Sequence, residues 1–273
     1  MATPPTPTAT PANSPAAGPV PATTIHTPAA GLSTSWSSVA LTGGQQLPVY
    51  VAKPIGAGPF PVVLVVQEIF GVHEHITDVA RRLAQLGYLA LAPDLYFRLG
   101  NAATVTDLDL LRRDFVGKTG DAQVLADLDA TVSWSASQAG DERRLGLTGF
   151  CWGGRIAWLY AAHQPRLKAA VAWYGRLQGE RTPTHPQHPV DVVARLSAAV
   201  LGLYGGQDQG IPLTAVEAQR SALAAAGRRD AEIVVYPAAP HAFFADYRTS
   251  YRATEAADGW RRLKAWFIEH GVS

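Results

Sequence analysis

Four residues able to attack a carbonyl or carry a proton stand just beyond four apolar, strand-like runs. They are Glu68 after Val62–Val66, Cys151 after Leu145–Thr148, Asp208 after Val200–Tyr204 and His241 after Ile233–Tyr236. Open parallel sheets bind ligands beyond the carboxyl ends of their strands, so these four side chains are expected to converge on one edge. Cys151 is the single cysteine of the chain and sits at the centre of Gly149-Phe-Cys-Trp-Gly153. That is a Gly-x-nucleophile-x-Gly turn with cysteine in place of serine. The helix-like run Ile156–Ala162 follows it, which gives the strand–turn–helix setting of a nucleophile elbow.

The chain order is nucleophile, acid, histidine, with separations of 57 residues from 151 to 208 and 33 from 208 to 241. A thiolate is the attacking species, an imidazole can take and return its proton, and a carboxylate can hold the ring in the right tautomer. At the start of a helix, unpaired N–H groups also favour the thiolate. The Trp152 N–H, next after the nucleophile, is the first expected oxyanion donor, and Ile69, in the loop after Val62–Val66, is the second. Read alone, Asp208 could be a helix cap before Pro212, His241 a core histidine and Glu68 a capping or salt-bridged residue. Their shared position after strands favours chemistry for the triad. His73-Glu-His75 and His185-x-x-His188 lack zinc spacing, so no metal is expected. No cofactor is called for either.

These residues need a scaffold, and the rest of the sequence supplies one. Ser35–Leu41 and Leu47–Ala52 alternate around a Gly-Gly loop and predict an antiparallel hairpin, with Pro48 at a sheet edge. Val62–Val66 is continuously apolar, as a strand buried on both faces must be. Helical spacing runs from Glu74 to Gly87, and Tyr88–Ala92 returns as a strand, completing a crossover unit. Further helices are predicted near Val105–Val116 and over Ala122–Ser137, Leu213–Ala226 and Ala253–Ile268. Strands are predicted at Arg144–Thr148, Leu167–Tyr174, Ala198–Tyr204 and Ala231–Tyr236. Alternation of strand and helix predicts one α/β domain, residues 34–273, with a mostly parallel, doubly wound sheet flanked by helices.

Composition excludes several classes. Net charge is +1 over 273 residues, which gives no reason to expect nucleic acid as partner. No apolar run is long enough to span a membrane. A single cysteine forbids an internal disulfide and fits a reducing, cytoplasmic setting. The first thirty residues hold eight of the twenty prolines, and no Asp, Glu, Lys or Arg precedes Lys53. Residues 1–33 are therefore expected to be a disordered tail.

Five motifs together carry a family resemblance: Gln67-Glu-Ile-Phe-Gly71, Ala92-Pro-Asp-Leu-Tyr-Phe-Arg98, Gly149-Phe-Cys-Trp-Gly-Gly154, Gly205-Gly-Gln-Asp208 and Pro240-His-Ala-Phe-Phe244. From about Trp36 onward the chain resembles the dienelactone hydrolases (carboxymethylenebutenolidases) of the α/β-hydrolase superfamily. The resemblance implies a Cys151–His241–Asp208 triad acting on a small lactone or ester through an acyl-thioenzyme. It implies that Glu68 pairs with the thiol at rest and helps generate thiolate when substrate binds. It assigns substrate contact to Tyr96 and Arg98, the latter to a substrate carboxylate, and it is compatible with a monomer or weak homo-oligomer. Three positions depart from the family pattern: Ala245 where a second carboxylate-binding arginine is expected, with Arg248 three further on; Ala102 for a tyrosine; and His73 for an asparagine.

Two other classes were weighed against hydrolysis. A non-catalytic binding protein on the same fold would tend to have lost a triad member, and none is missing. A redox-sensing thiol lacks a resolving cysteine.

Overall fold

The computed structural model describes residue 7 and residues 9–273. Eight strands form one sheet: β1 Leu32–Ala40, β2 Gln46–Pro54, β3 Phe60–Val66, β4 Leu89–Pro93, β5 Gly140–Phe150, β6 Leu167–Trp173, β7 Ala199–Gly205 and β8 Ala231–Tyr236. Their order is β1-β2-β4-β3-β5-β6-β7-β8. β1 and β2 pair antiparallel, as do β2 and β4, and every pairing from β4 to β8 is parallel. Five longer helices cover the faces: α1 Glu74–Gln85, α2 Asp121–Ser135, α3 Trp152–His163, α4 Leu213–Ala225 and α5 Ala253–Glu269. Among the described residues, no helix is long and apolar enough to cross a membrane.

Burial follows the sequence pattern. Val62–Val66 in central β3 are fully buried, whereas edge strand β1 alternates between exposed and half-buried positions. The polar tips of two buried tryptophans find partners, as they must away from water. Trp158 Nε1 donates to Tyr204 Oη at 3.0 Å, and Trp173 Nε1 donates to Thr148 Oγ1 at 3.0 Å.

Three features differ from the sequence-based expectation. Pro48 is not on an edge strand, because β2 lies between β1 and β4. Its carbonyl accepts from Asp94 N at 2.8 Å, beyond the last β4 residue. Since the N–H and C=O of one strand residue point the same way, the missing donor of Pro48 falls where β4 has already ended, and no ladder bond is lost. The helix predicted near Val105–Val116 is a short turn, Leu108–Leu110, running into a π-helical turn, Leu111–Val116.

The third difference is the N-terminal segment. Residues 9–31 lie along the body as a strap, and the boundary drawn at 33 falls inside β1. Composition missed this because the anchors are hydrogen bonds rather than apolar burial. Asn13 meets His73 and His75, Thr23 Oγ1 donates to Asp246 O at 2.8 Å, and Thr27 N donates to Asp78 Oδ1 at 2.5 Å. Arg81 Nε donates back to Thr27 O at 2.8 Å. The expectation for residues 1–6 and 8 lies outside the described residues.

Glycines let α3 press onto the sheet. A Cβ built at Gly153 would meet Val66 O at 2.4 Å and Gln67 O at 2.6 Å, both rigid backbone. Gly153→Ala should therefore cost about 1–3 kcal/mol in urea denaturation. Gly120→Ala, whose nearest contact would be Thr184 O at 3.9 Å, should change stability far less.

Candidate active site

Cys151 links β5 to α3 with φ 55° and ψ −111°, a conformation non-glycine residues rarely adopt. Its neighbours enforce it. A Cβ at Gly149 would lie 2.1 Å from Gly153 O, and one at Gly154 would lie 2.4 Å from Trp173 O. Cys151 N donates to Trp173 O at 3.0 Å, Gly153 N to Gln67 O at 3.1 Å and Gly154 N to Cys151 O at 3.0 Å. Among the described residues, the N–H groups of Trp152 and half-buried Ile69 have no backbone acceptor outside the helices and strands. These are the two donors predicted for an oxyanion. Arg155, one turn into α3, is tied to Asp121 at 2.6 and 2.8 Å and to Gln187 O at 2.6 Å, which pins the helix from its far side.

Asp208 divides its two oxygens. Oδ1 accepts from Gly210 N at 2.9 Å and Ile211 N at 3.1 Å, holding the loop after β7. Oδ2 lies 2.6 Å from His241 Nδ1. Oδ1 thus caps the turn after β7 rather than the helix that begins after Pro212, and Oδ2 is the oxygen that meets the imidazole. Cys151 is close enough to the His241 ring to bear on its charge. Burial works against the charged imidazole, but the negative charge of Cys151, with hydrogen bonds to Asp208 and Cys151, pushes it up to about 10. A face of Tyr174 packs 5.1 Å from this ring.

Glu68 is fully buried on the other side of the nucleophile. Burial alone would raise its carboxyl, yet contact with His73 and the charges of His75, His73 and Arg248 bring it down to about 2. Tyr247 Oη donates to Glu68 Oε2 at 2.5 Å, and Oε1 has no hydrogen-bond partner. Cys151 bears on the charge of His241, while the charge of Glu68 is set by His73, His75 and Arg248. The phenol of Tyr174 bridges the two regions electrostatically: burial, then the charges of Glu68 and Cys151, hold its pKa well above the usual value.

Tyr96 is brought to the site. It packs on Trp152 with ring centroids 5.0 Å apart, and its buried hydroxyl is without a partner and feels the charge of Cys151. Arg98 is not available there. Its guanidinium forms a two-pronged pair with Asp127 at 2.7 and 3.0 Å, and Nε donates to Gln45 Oε1 at 2.8 Å. Three of the five guanidinium N–H groups of Arg98 are thus engaged within the protein, which weighs against the substrate-carboxylate role expected of it. Arg248 has no carboxylate in ion-pair contact among the described residues and lies over the ring of Phe70 at 5.6 Å. The other histidines serve the framework. His75 faces Asp246 at 3.4 Å, while His188 Nε2 meets Glu180 O at 3.0 Å. Sequence reasoning missed Tyr174 and Tyr247, because a tyrosine after a strand carries no spacing signal of its own.

The match to known proteins follows the same residues. The family model for the "Dienelactone hydrolase family" covers residues 47–271. The chain belongs to the dienelactone hydrolase family. Two relatives described as "Putative carboxymethylenebutenolidase" come from Yersinia pestis and Salmonella typhimurium. The first is 60% identical over 84% of this chain and 86% of its own length, the second 55% identical over 94% and 95%. A solved structure from Klebsiella pneumoniae, described as a "Putative Dienelactone Hydrolase", superposes with a TM-score of 0.85 at 57% identity, covering 87% of this chain and 99% of that one. Membership of the dienelactone hydrolase family makes this chain a hydrolase with the α/β-hydrolase fold.

The raised pKa of His241 gives a direct test. A ring held up to about 10 keeps its proton as pH rises past 6.5, the ordinary value for histidine, and releases it only near 10. Histidine NMR titration should show this in the wild type, with a lower midpoint in Cys151→Ala, where the negative partner is gone.

Proposed function

We propose that the protein hydrolyses a small carboxylic ester or lactone with Cys151 as nucleophile. The observation carrying this reading is the thiol at a strained elbow facing an imidazole that is itself held by Asp208 at 2.6 Å. The Cys151 sulfur attacks the acyl carbon, and the carbonyl oxygen takes negative charge between the N–H groups of Trp152 and Ile69. As the tetrahedral species collapses, the C–O bond breaks and the leaving oxygen receives the proton held by His241. Water, giving a proton back to His241, then cleaves the thioester and frees the acid. In this reading Glu68 takes the thiol proton on Oε1 as substrate enters and so helps generate thiolate, and it returns that proton to the sulfur when deacylation restores the thiolate; the proton that His241 gives up is the one it regains from water.

The carboxylate-binding role passes from Arg98 to Arg248 in this reading. Arg248 is near enough to Glu68, Tyr174 and Tyr247 to affect the charge balance of all three. A cation near these three groups supports the reading that the substrate is acidic.

Cys151→Ala should lose hydrolysis of enol and aryl esters by about a thousandfold or more; activity close to wild type would sink the assignment. On paired substrates with and without a carboxylate, Arg248→Ala should lower kcat/KM about tenfold for the acidic one only. Arg98→Ala should leave that preference intact and lower Tm, because Asp127 loses its partner.

A further inference from the structure

The strap ends in a buried polar cluster that the triad does not use. Asn13 Oδ1 accepts from the His75 backbone N–H at 3.0 Å and lies 2.9 Å from His73 Nδ1. A backbone N–H can only donate, so the atom facing both groups is the amide oxygen, an acceptor. His73 Nδ1 must then carry a proton. A neutral imidazole carries one proton only, so its Nε2 presents a bare lone pair. That nitrogen faces Glu68 Oε2 at 3.5 Å. In this tautomer the neutral ring withholds a hydrogen bond from the carboxylate, leaving Tyr247 as the donor on Oε2; the lowering of Glu68 by His73 belongs to the doubly protonated ring.

We propose that Asn13 is a positioning residue that locks His73 in its Nδ1–H tautomer and so leaves the Glu68 carboxylate unclamped to act on the thiol. The proposal rests on the role given to Glu68 above and adds a function for the N-terminal strap. Without the lock, the neutral ring gains a charge-assisted bond by moving its proton to Nε2 and donating to Glu68. Two donors would then hold the carboxylate at every pH. With the lock, the second donor forms only when the ring takes a second proton. Burial lowers the pKa of His73, so this occurs on the acid side of 6.5. Glu74 and Glu68 favour that proton, and His75, itself facing Asp246, opposes it. Tyr247, Tyr174 and Arg248 complete the set of titratable or charged groups around the carboxylate.

The test compares the full chain, labelled with ¹⁵N-histidine, with Asn13→Ala and Asn13→Asp; His73→Gln identifies the resonance. The wild type should show neutral His73 as Nδ1–H. Asn13→Ala should switch it to Nε2–H and lower kcat/KM for an ester about tenfold or more across the pH range. Asn13→Asp should keep Nδ1–H and near-normal kcat/KM on the plateau. Its acid limb should move to higher pH, because an anion at Nδ1 favours the imidazolium. An Nε2–H signal in the wild type overturns the proposal, as does a tautomer switch in Asn13→Ala with unchanged kcat/KM. Loss of Tm in both variants with tautomer and pH profile unmoved would show a merely structural contact, and also overturns it. Hydrolysis persisting in Cys151→Ala would fell the reading of the thiol instead. The two failures are distinguishable, because the tautomer signal needs no turnover.

Discussion

A single backbone constraint organises this molecule: Cys151 must sit at φ 55°. Nothing about cysteine favours that conformation, so the cost is met by the surroundings. Gly149, Gly153, Gly154 and Gly175 allow four stretches of backbone to approach within distances that no side chain would permit. The Cys151 N–H is bonded to Trp173 O at the end of β6, and that of Gly153 to Gln67 O just beyond β3. The turn is thus clamped by the strands on either side of β5, and the thiol is presented where all three strands end. The far-side pairing of Arg155 with Asp121 keeps α3 from relaxing the strain.

From that constraint the electrostatics follow. Two buried carboxylates, Asp208 and Glu68, act in different ways here. Asp208 is bonded to the loop through one oxygen and to His241 through the other, so its charge is spent on orienting a ring. Glu68 keeps one oxygen without a partner in a site lined by Tyr174 and Tyr247, whose phenols are driven further from ionisation by burial and by the nearby negative charge. Equal residue types thus acquire unequal chemistry from their partners alone.

The sequence disclosed the parts of this arrangement that have a period or a motif. Parallel strands announce themselves as unbroken apolar runs, and the elbow as glycines around a central residue, so the fold, the turn at Cys151 and the pairing of Asp208 with His241 were legible. Arg98 shows the limit. Its motif pointed to substrate, but its partner, Asp127, lies on a helix whose rotation about its axis no local pattern reveals. The strap shows another limit. A proline-rich segment without charge reads as a chain that cannot order itself, and only the surface it meets supplies the acceptors and donors that hold it. Tyr174 and Tyr247 were invisible for a related reason, since a buried hydroxyl matters through neighbours distant in sequence.

The way the strap is held has a consequence for how the molecule breathes. Its fixed points are mostly polar contacts to α1 and to the loop carrying Asp246, and Ser14 is nearly its only fully buried side chain. A segment bonded this way belongs to the low-stability end of a protein's local unfolding spectrum and can lift while the sheet stays intact. Lifting would admit water to His73, and through it to Glu68, from the face behind the nucleophile. In this reading the reactive centre would meet solvent on two sides: at the open edge of the sheet for substrate and, when the strap lifts, along a polar seam for water and protons.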